Sequence, residues 1–178
     1  MRAFDDALKQ TLGIEGPESD RANDPGGKTR YGISKAKHPE MWENGPPTYD
    51  QAVSFYKVLW NSLSLDVIAE QAPRVAGKLF DIAVNTGEKH AAMWLQVALN
   101  AFNQQGVAYH DIDMDGAIGP VTLSAFHAYM AKRAKQDGAD VLHDALSAQQ
   151  GSYYLNLRDG NPALEDFEYG WFKDRVAL

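Results

Sequence analysis

Apolar residues recur at helical spacing along most of this chain. Phe4, Ala7, Leu8, Thr11 and Leu12 share one face, which predicts an amphipathic helix over residues 3–12 with Gly13 as its stop. Residues 16–32 break the pattern with four glycines and two prolines and read as turns, with a short extended segment around residues 29–32. Thr48-Tyr49-Asp50-Gln51 fits a capping box and opens a helix to about Trp60, carrying Ala52, Val53, Phe55, Tyr56 and Leu59. A short helix follows Ser64. Val75, Leu79, Ile82 and Ala83 mark a helix over 74–86 that Gly87 ends. Residues 88–103 continue as helix, with Met93, Trp94, Val97, Ala98 and Phe102 as core candidates. After a polar loop over 104–119, Pro120 sits at the first position of a helix running to about Gln136. Two more helices are expected near 140–158 and 162–174. Helical periods outnumber alternating ones, so the fold class is mainly α. A soft boundary near residue 90 divides the chain into 1–90 and 91–178, expected to pack as one compact unit.

Composition narrows the function. With 178 residues the chain is long enough for a proper core, and its net charge of −7 argues against nucleic acid as a partner. The same charge gives no help in approaching anionic cell surfaces. Cysteine is absent, which removes disulfides, thiolate metal sites and Cys/His peptidase chemistry. No apolar run has membrane-spanning length, so no membrane insertion is expected. The first residues, MRAFDDALKQTLG, lack an apolar core and do not read as a secretory signal.

The irregular stretch IEGPESDRANDPGGKTRYGIS, residues 14–34, concentrates acids: Glu15, Glu18, Asp20 and Asp24. A solvated loop is the plain reading, because acid-rich turns are common. Glycosidic hydrolysis is the sharper one. It needs an acid to protonate the leaving oxygen and a carboxylate to activate water or attack the sugar. A glutamate beside apolar groups suits the acid, since desolvation raises its pKa. Ile14 and the preceding helix offer Glu15 that setting. Asp24 lies in a turn where a carboxylate stays ionised, and the Thr29 hydroxyl can orient water.

The stretch resembles the amino-terminal signature of glycoside hydrolase family 108, N-acetylmuramidases common in bacteriophage endolysins. The matching residues are Glu15-Gly16, Asp20, Asp24-Pro25-Gly26-Gly27, Thr29 and Gly32-Ile33, with Pro17 standing where the pattern has a second glycine. It is also similar to the Glu…Asp…Thr triad of family 24 phage lysozymes, whose Asp-to-Thr gap is one residue longer. The resemblance implies a lysozyme-like helical fold with a catalytic loop after the first helix. It implies Glu15 as catalytic acid, Asp24 as base or charge stabiliser and Thr29 as helper. Asp20 is the rival second carboxylate or a substrate contact, and Glu18 is solvated.

KLFDIAVNTGEKHAA, residues 78–92, resembles the same family's Phe-Asp-x-x-Val-Asn-x-Gly segment. Asp81 and Asn85 are one helical turn apart. Asn85 and Thr86 either bind sugar and hold the catalytic loop, or serve the helix end while Asp81 pairs locally. Among the aromatics, Tyr56 and Trp60 read as core and Tyr31 as a substrate contact, since sugar C–H faces pack on rings. WLQVALNAF…DIDMDGAIGPVTLSAF resembles the predicted peptidoglycan-binding region that accompanies family 108 catalytic domains, at Asp115-Gly116, Gly119-Pro120 and Thr122-Leu123.

Asp111, Asp113, Asp115 and Gly116 mimic half an EF-hand, but Thr122 stands where a bidentate glutamate belongs. The favoured reading is a turn whose aspartates satisfy backbone N–H groups. The histidines show no metal-ligand spacing, so neither a metal nor a cofactor is expected.

The expected activity is cleavage of the β-1,4 bond between N-acetylmuramic acid and N-acetylglucosamine. The partners are peptidoglycan glycan strands and, for a secreted effector, an immunity protein; the chain is expected to be a monomer. The expected route is synthesis in the cytoplasm, then action on the wall after holin release or secretion. A non-catalytic wall-binding protein and a wall amidase are the alternatives.

Overall fold

The first helix, α1, spans Arg2–Glu15 and buries Phe4, Ala7, Leu8 and Thr11. It runs through Gly13 rather than stopping there: a glycine weakens a helix by about 1 kcal/mol relative to alanine but does not end one. The structure, a computed structural model, describes residues 2–15, 18–19, 28–160 and 165–177. Its elements are mainly helical, as expected, with a small sheet following α1.

The chain divides into two compact units, Met1–Leu59 and Trp60–Leu178. The first holds α1, three two-residue strands, a 3-10 turn at Pro39–Trp42 and most of α2, Tyr49–Ser62. The strands are β1, Glu18–Ser19; β2, Thr29–Arg30; and β3, Ile33–Ser34. They form an antiparallel sheet in the order β1-β2-β3. The capping box of α2 is present in full: the Thr48 N–H donates to Gln51 Oε1 at 2.8 Å and the Gln51 N–H to Thr48 Oγ1 at 3.3 Å. The Lys57 ammonium on α2 lies 4.6 Å over the Phe4 ring of α1.

The second unit holds α3, Leu65–Ala69; α4, Pro73–Thr86; α5, Glu88–Phe102; α6, Pro120–Arg133; α7, Gly138–Gly160; and α8, Glu165–Trp171. A π-helical turn, Phe172–Val176, follows α8. Helix α4 packs against α3, α5 and α7 and buries Val75, Ala76, Leu79, Phe80, Ile82 and Ala83. Gly87, at φ 97°, breaks the chain between α4 and α5. The buried Trp60 indole donates to Asp66 at 2.8 Å.

Three further expectations shift. On α5 the buried face is Ala91, Ala92, Leu95, Gln96, Ala98 and Leu99, so of the expected core only Ala98 is fully buried. Met93, Trp94 and Phe102 are half-buried and Val97 is exposed. Small residues let neighbouring helices approach closely, and that outweighs the pull of the larger side chains. Helix α6 stops at Arg133 because residues 134–137 turn, with Asp137 at φ 54°. The last helix is a short α segment continued by π geometry.

The unit closes on a buried ionic cluster. Asp81 accepts from Arg175 Nη1 at 3.0 Å, Asn85 Nδ2 at 3.0 Å and Gln150 Nε2 at 2.8 Å. Asp81, Lys78, Arg175 and Gln150 are all buried. Lys78 Nζ donates to the Arg175 carbonyl at 2.6 Å. Gly151 on α7 admits this turn: a Cβ there would stand 3.3 Å from the Phe172 ring. Asp81 therefore pairs across 94 positions as well as locally.

Removing one partner leaves a buried charge uncompensated. Arg175→Ala is expected to cost about 3 kcal/mol, read from the urea midpoint. Burial pulls the Lys78 ammonium down to about 8, against the attraction of Asp81 and helped by Arg175. From about pH 8 to pH 10 the unfolded chain binds more protons at this lysine than the folded one, so stability rises with pH. Above pH 10 Tyr154, pushed up to about 12 by burial and Asp81, acts in the opposite sense. Lys78→Met is expected to flatten the rise between pH 8 and 10 in unfolding free energy measured against pH.

Candidate active site

The sheet frames the acid-rich stretch. Thr29 pairs with Ser19 on one side and Ser34 on the other, so it lies on the central strand. The Lys35 N–H to Lys28 carbonyl bond, 2.9 Å, extends the pairing. Residues 20–27 thus connect two paired positions. Asp20 and Asp24 fall in that connection and lie outside the described residues. Glu15 is the last residue of α1 and is described by its backbone.

A two-residue turn, Tyr31-Gly32, joins β2 to β3, with φ of 51° and 76°. Positive φ at both central positions is the type I′ geometry whose twist suits a hairpin. Gly32 adopts it freely, but for Tyr31 it costs about 1–2 kcal/mol. The hydroxyl of the buried Tyr56 donates to the Tyr31 carbonyl at 2.8 Å and holds the turn. The half-buried Tyr31 ring meets Tyr49 edge-on at 5.8 Å, with the Arg30 guanidinium 5.4 Å above it. Tyr56 and Trp60 are core residues, as expected. The sheet itself exceeds expectation. Its signal was Thr29 and Ile33 flanking Tyr31-Gly32, but two-residue strands are too short to show a period.

Asn85 and Thr86 lie in the second unit, at the end of α4. The Asn85 amide donates to the Asp81 carbonyl at 2.7 Å and to its carboxylate, and the Thr86 hydroxyl donates to the Ile82 carbonyl at 2.9 Å. The structure therefore groups Thr29 with Tyr31 and Asn85 with Thr86.

The aspartate loop is organised by Gln96, a residue not among the matched positions of its segment. This buried amide donates to Asp115 Oδ1 at 2.7 Å, the Ala117 carbonyl at 3.0 Å and Thr122 Oγ1 at 3.1 Å. Its oxygen accepts from the Gly116 N–H at 3.0 Å. A lone glutamine inside WLQVAL was the available signal. Asp115 also accepts from the Ala117 N–H at 2.9 Å, the backbone role expected of it. These bonds, Gln96 first, hold the Asp115 carboxyl below the usual carboxylate range. Asp111 accepts from Asn103, and Asn100 brackets Ile112 through both its N–H and carbonyl. Among the described residues, no three His, Asp or Glu side chains are grouped to hold a metal ion.

Residues 8–87 match the family model of glycosyl hydrolase 108, and residues 90–176 match that of a predicted peptidoglycan domain. The chain is a peptidoglycan hydrolase, similar to glycosyl hydrolase 108 over its first part and to a predicted peptidoglycan domain over its second. The hydrolase shares its fold with the structure of Brucella abortus SagA: 24% identity, TM-score 0.72, covering 99% of this chain and 90% of that one. No curated protein matches its sequence. The division between the two family matches falls at the break between α4 and α5. None of the hydrolase's described helices is long and apolar enough to cross a membrane.

Gln96→Leu keeps the volume but strands the Gly116 N–H. It is expected to lower stability by about 2 kcal/mol, measured by chemical denaturation.

Proposed function

We propose that this protein is an N-acetylmuramidase that cleaves the β-1,4 bond between N-acetylmuramic acid and N-acetylglucosamine. Glu15 protonates the glycosidic oxygen as an oxocarbenium-like centre develops. Asp24 stabilises that centre or activates water, with Thr29 assisting. Asp20, Tyr31, Asn85 and Thr86 contact the substrate. Residues 1–90 supply the catalytic region and 91–178 the peptidoglycan-binding region, working as a monomer without a cofactor.

The reading rests on one observation: the glycosyl hydrolase 108 match takes in the second half of α1, ending at Glu15, and a connection whose ends meet as the Ser19–Thr29 pair. Two routes to the wall suit the reading. One is phage lysis after holin release; the other is delivery by a secretion system, with an immunity protein as partner.

Digestion of purified peptidoglycan tests the chemistry. New muramic acid reducing ends are expected from wild type, with a loss of about a thousandfold in Glu15→Gln. Equal digestion by both proteins would overturn the assignment of Glu15. Products without new reducing ends would point to an amidase, and binding without products to a wall-binding protein. Retained turnover in Asp24→Ala beside loss in Asp20→Ala would move the second carboxylate role to Asp20.

A further inference from the structure

Three aromatic side chains gather on one part of the second unit. His90 and Trp94 lie one turn apart on α5, and Tyr153 lies on α7. His90 and Trp94 stack with centroids 5.5 Å apart; Tyr153 is 5.1 Å from His90 and 5.6 Å from Trp94. All three are half-buried.

Their polar tips set them apart from the core aromatics. The buried Trp60 indole bonds Asp66, the Tyr129 hydroxyl bonds the Gly138 carbonyl, and the Tyr154 hydroxyl accepts from Gln150. In contrast, His90 Nε2, Trp94 Nε1 and the Tyr153 hydroxyl have no hydrogen-bond partner among the described residues. None of them is among the buried unpaired polar atoms, so each reaches solvent. An aromatic body with a wet polar tip is the form of side chain used at binding surfaces.

His90 is also oriented. Its Nδ1 lies 2.9 Å from the Thr86 carbonyl, so Nδ1 carries the proton and, in the neutral ring, Nε2 offers a lone pair outward. That bond places the cluster one turn beyond Thr86. Tyr153 is held from behind by its ring contact with Tyr154, 6.0 Å away, whose own ring lies 5.0 Å from Trp171.

Sugars present apolar C–H faces rimmed by hydroxyl and acetamido groups. Clustered rings with one acceptor and two donor edges match that pattern, and His90, Trp94 and Tyr153 all fall within the predicted peptidoglycan domain match. We propose that His90, Trp94 and Tyr153 form a subsite for the glycan strand of peptidoglycan, stacking an N-acetylated sugar and bonding its rim. The inference rests on the reading that this protein acts on peptidoglycan.

The test titrates purified sacculi on ice with wild type, Trp94→Leu, Tyr153→Leu and His90→Gln, reading the bound fraction by co-sedimentation. KM and kcat are measured in parallel on soluble glycan strands. Trp94→Leu and Tyr153→Leu are expected to weaken binding about tenfold and to raise KM more than they lower kcat. Unchanged binding and KM in the leucine variants would overturn the subsite and leave the hydrolase reading intact. A wild type that neither binds nor cleaves sacculi would overturn both. Circular dichroism checks each fold. Should a leucine variant not fold, Tyr153→Phe and His90→Gln decide the matter, since loss of a rim bond weakens binding and no change overturns the proposal.

Discussion

A single buried carboxylate organises the larger part of this molecule. Asp81 gathers donors from its own helix, from α7 and from the final turn of the chain: Asn85, Gln150 and Arg175. A charge in such a place is tolerated only when paired and hydrogen-bonded, so the carboxyl-terminal turn is drawn into the core. Lys78 fastens the same turn by its backbone. The requirement then propagates outward. Gln150 also donates to Tyr154, and Tyr154 abuts both Trp171 and Tyr153. The half-exposed ring cluster on α5 and α7 is thus rooted in a fully buried electrostatic constraint.

The first unit uses a different device. Strands of two residues are not stable by themselves. Theirs is lent by α2, whose Tyr56 hydroxyl holds a turn that places a tyrosine in a left-handed conformation. The central strand fixes Thr29 by pairing on both sides, and the Ser19–Thr29 pair sets where the acid-rich connection leaves and returns.

Much of the helical framework was legible because local chemistry announces it. The Thr48 and Gln51 cap, Pro120 at a helix start and Gly87 at a helix end all act where they stand in sequence. What escaped was decided at a distance. The pairing of Asp81 with Arg175 spans 94 positions, and neither neighbourhood hints at the other. The phase of α5 is not set by side-chain size: Trp94 and Met93 are the large residues, but close packing buries the Ala and Leu face. For the candidate site, spacing alone left Glu15, Asp24 and Thr29 as one acid-rich turn among many. Resemblance to a family raised them above that. Asn85 and Thr86 were legible as partners on one helix end, but not in what their hydrogen bonds are spent on.

The break at Gly87 carries one more consequence. It is where the two family matches meet, so in sequence it is a seam between two regions. In packing it is no seam at all, because α4 lies on α5 and α7 with Asp81 bound to Gln150 and Arg175. A chain cut there would strip α4 of its packing on α5 and α7 and leave Asp81 without its Arg175 countercharge. The region matched in sequence and the unit that packs together therefore differ at α4. Any recombination that replaced either region would have to bring matching partners for the helix that belongs by sequence to the first and by packing to the second.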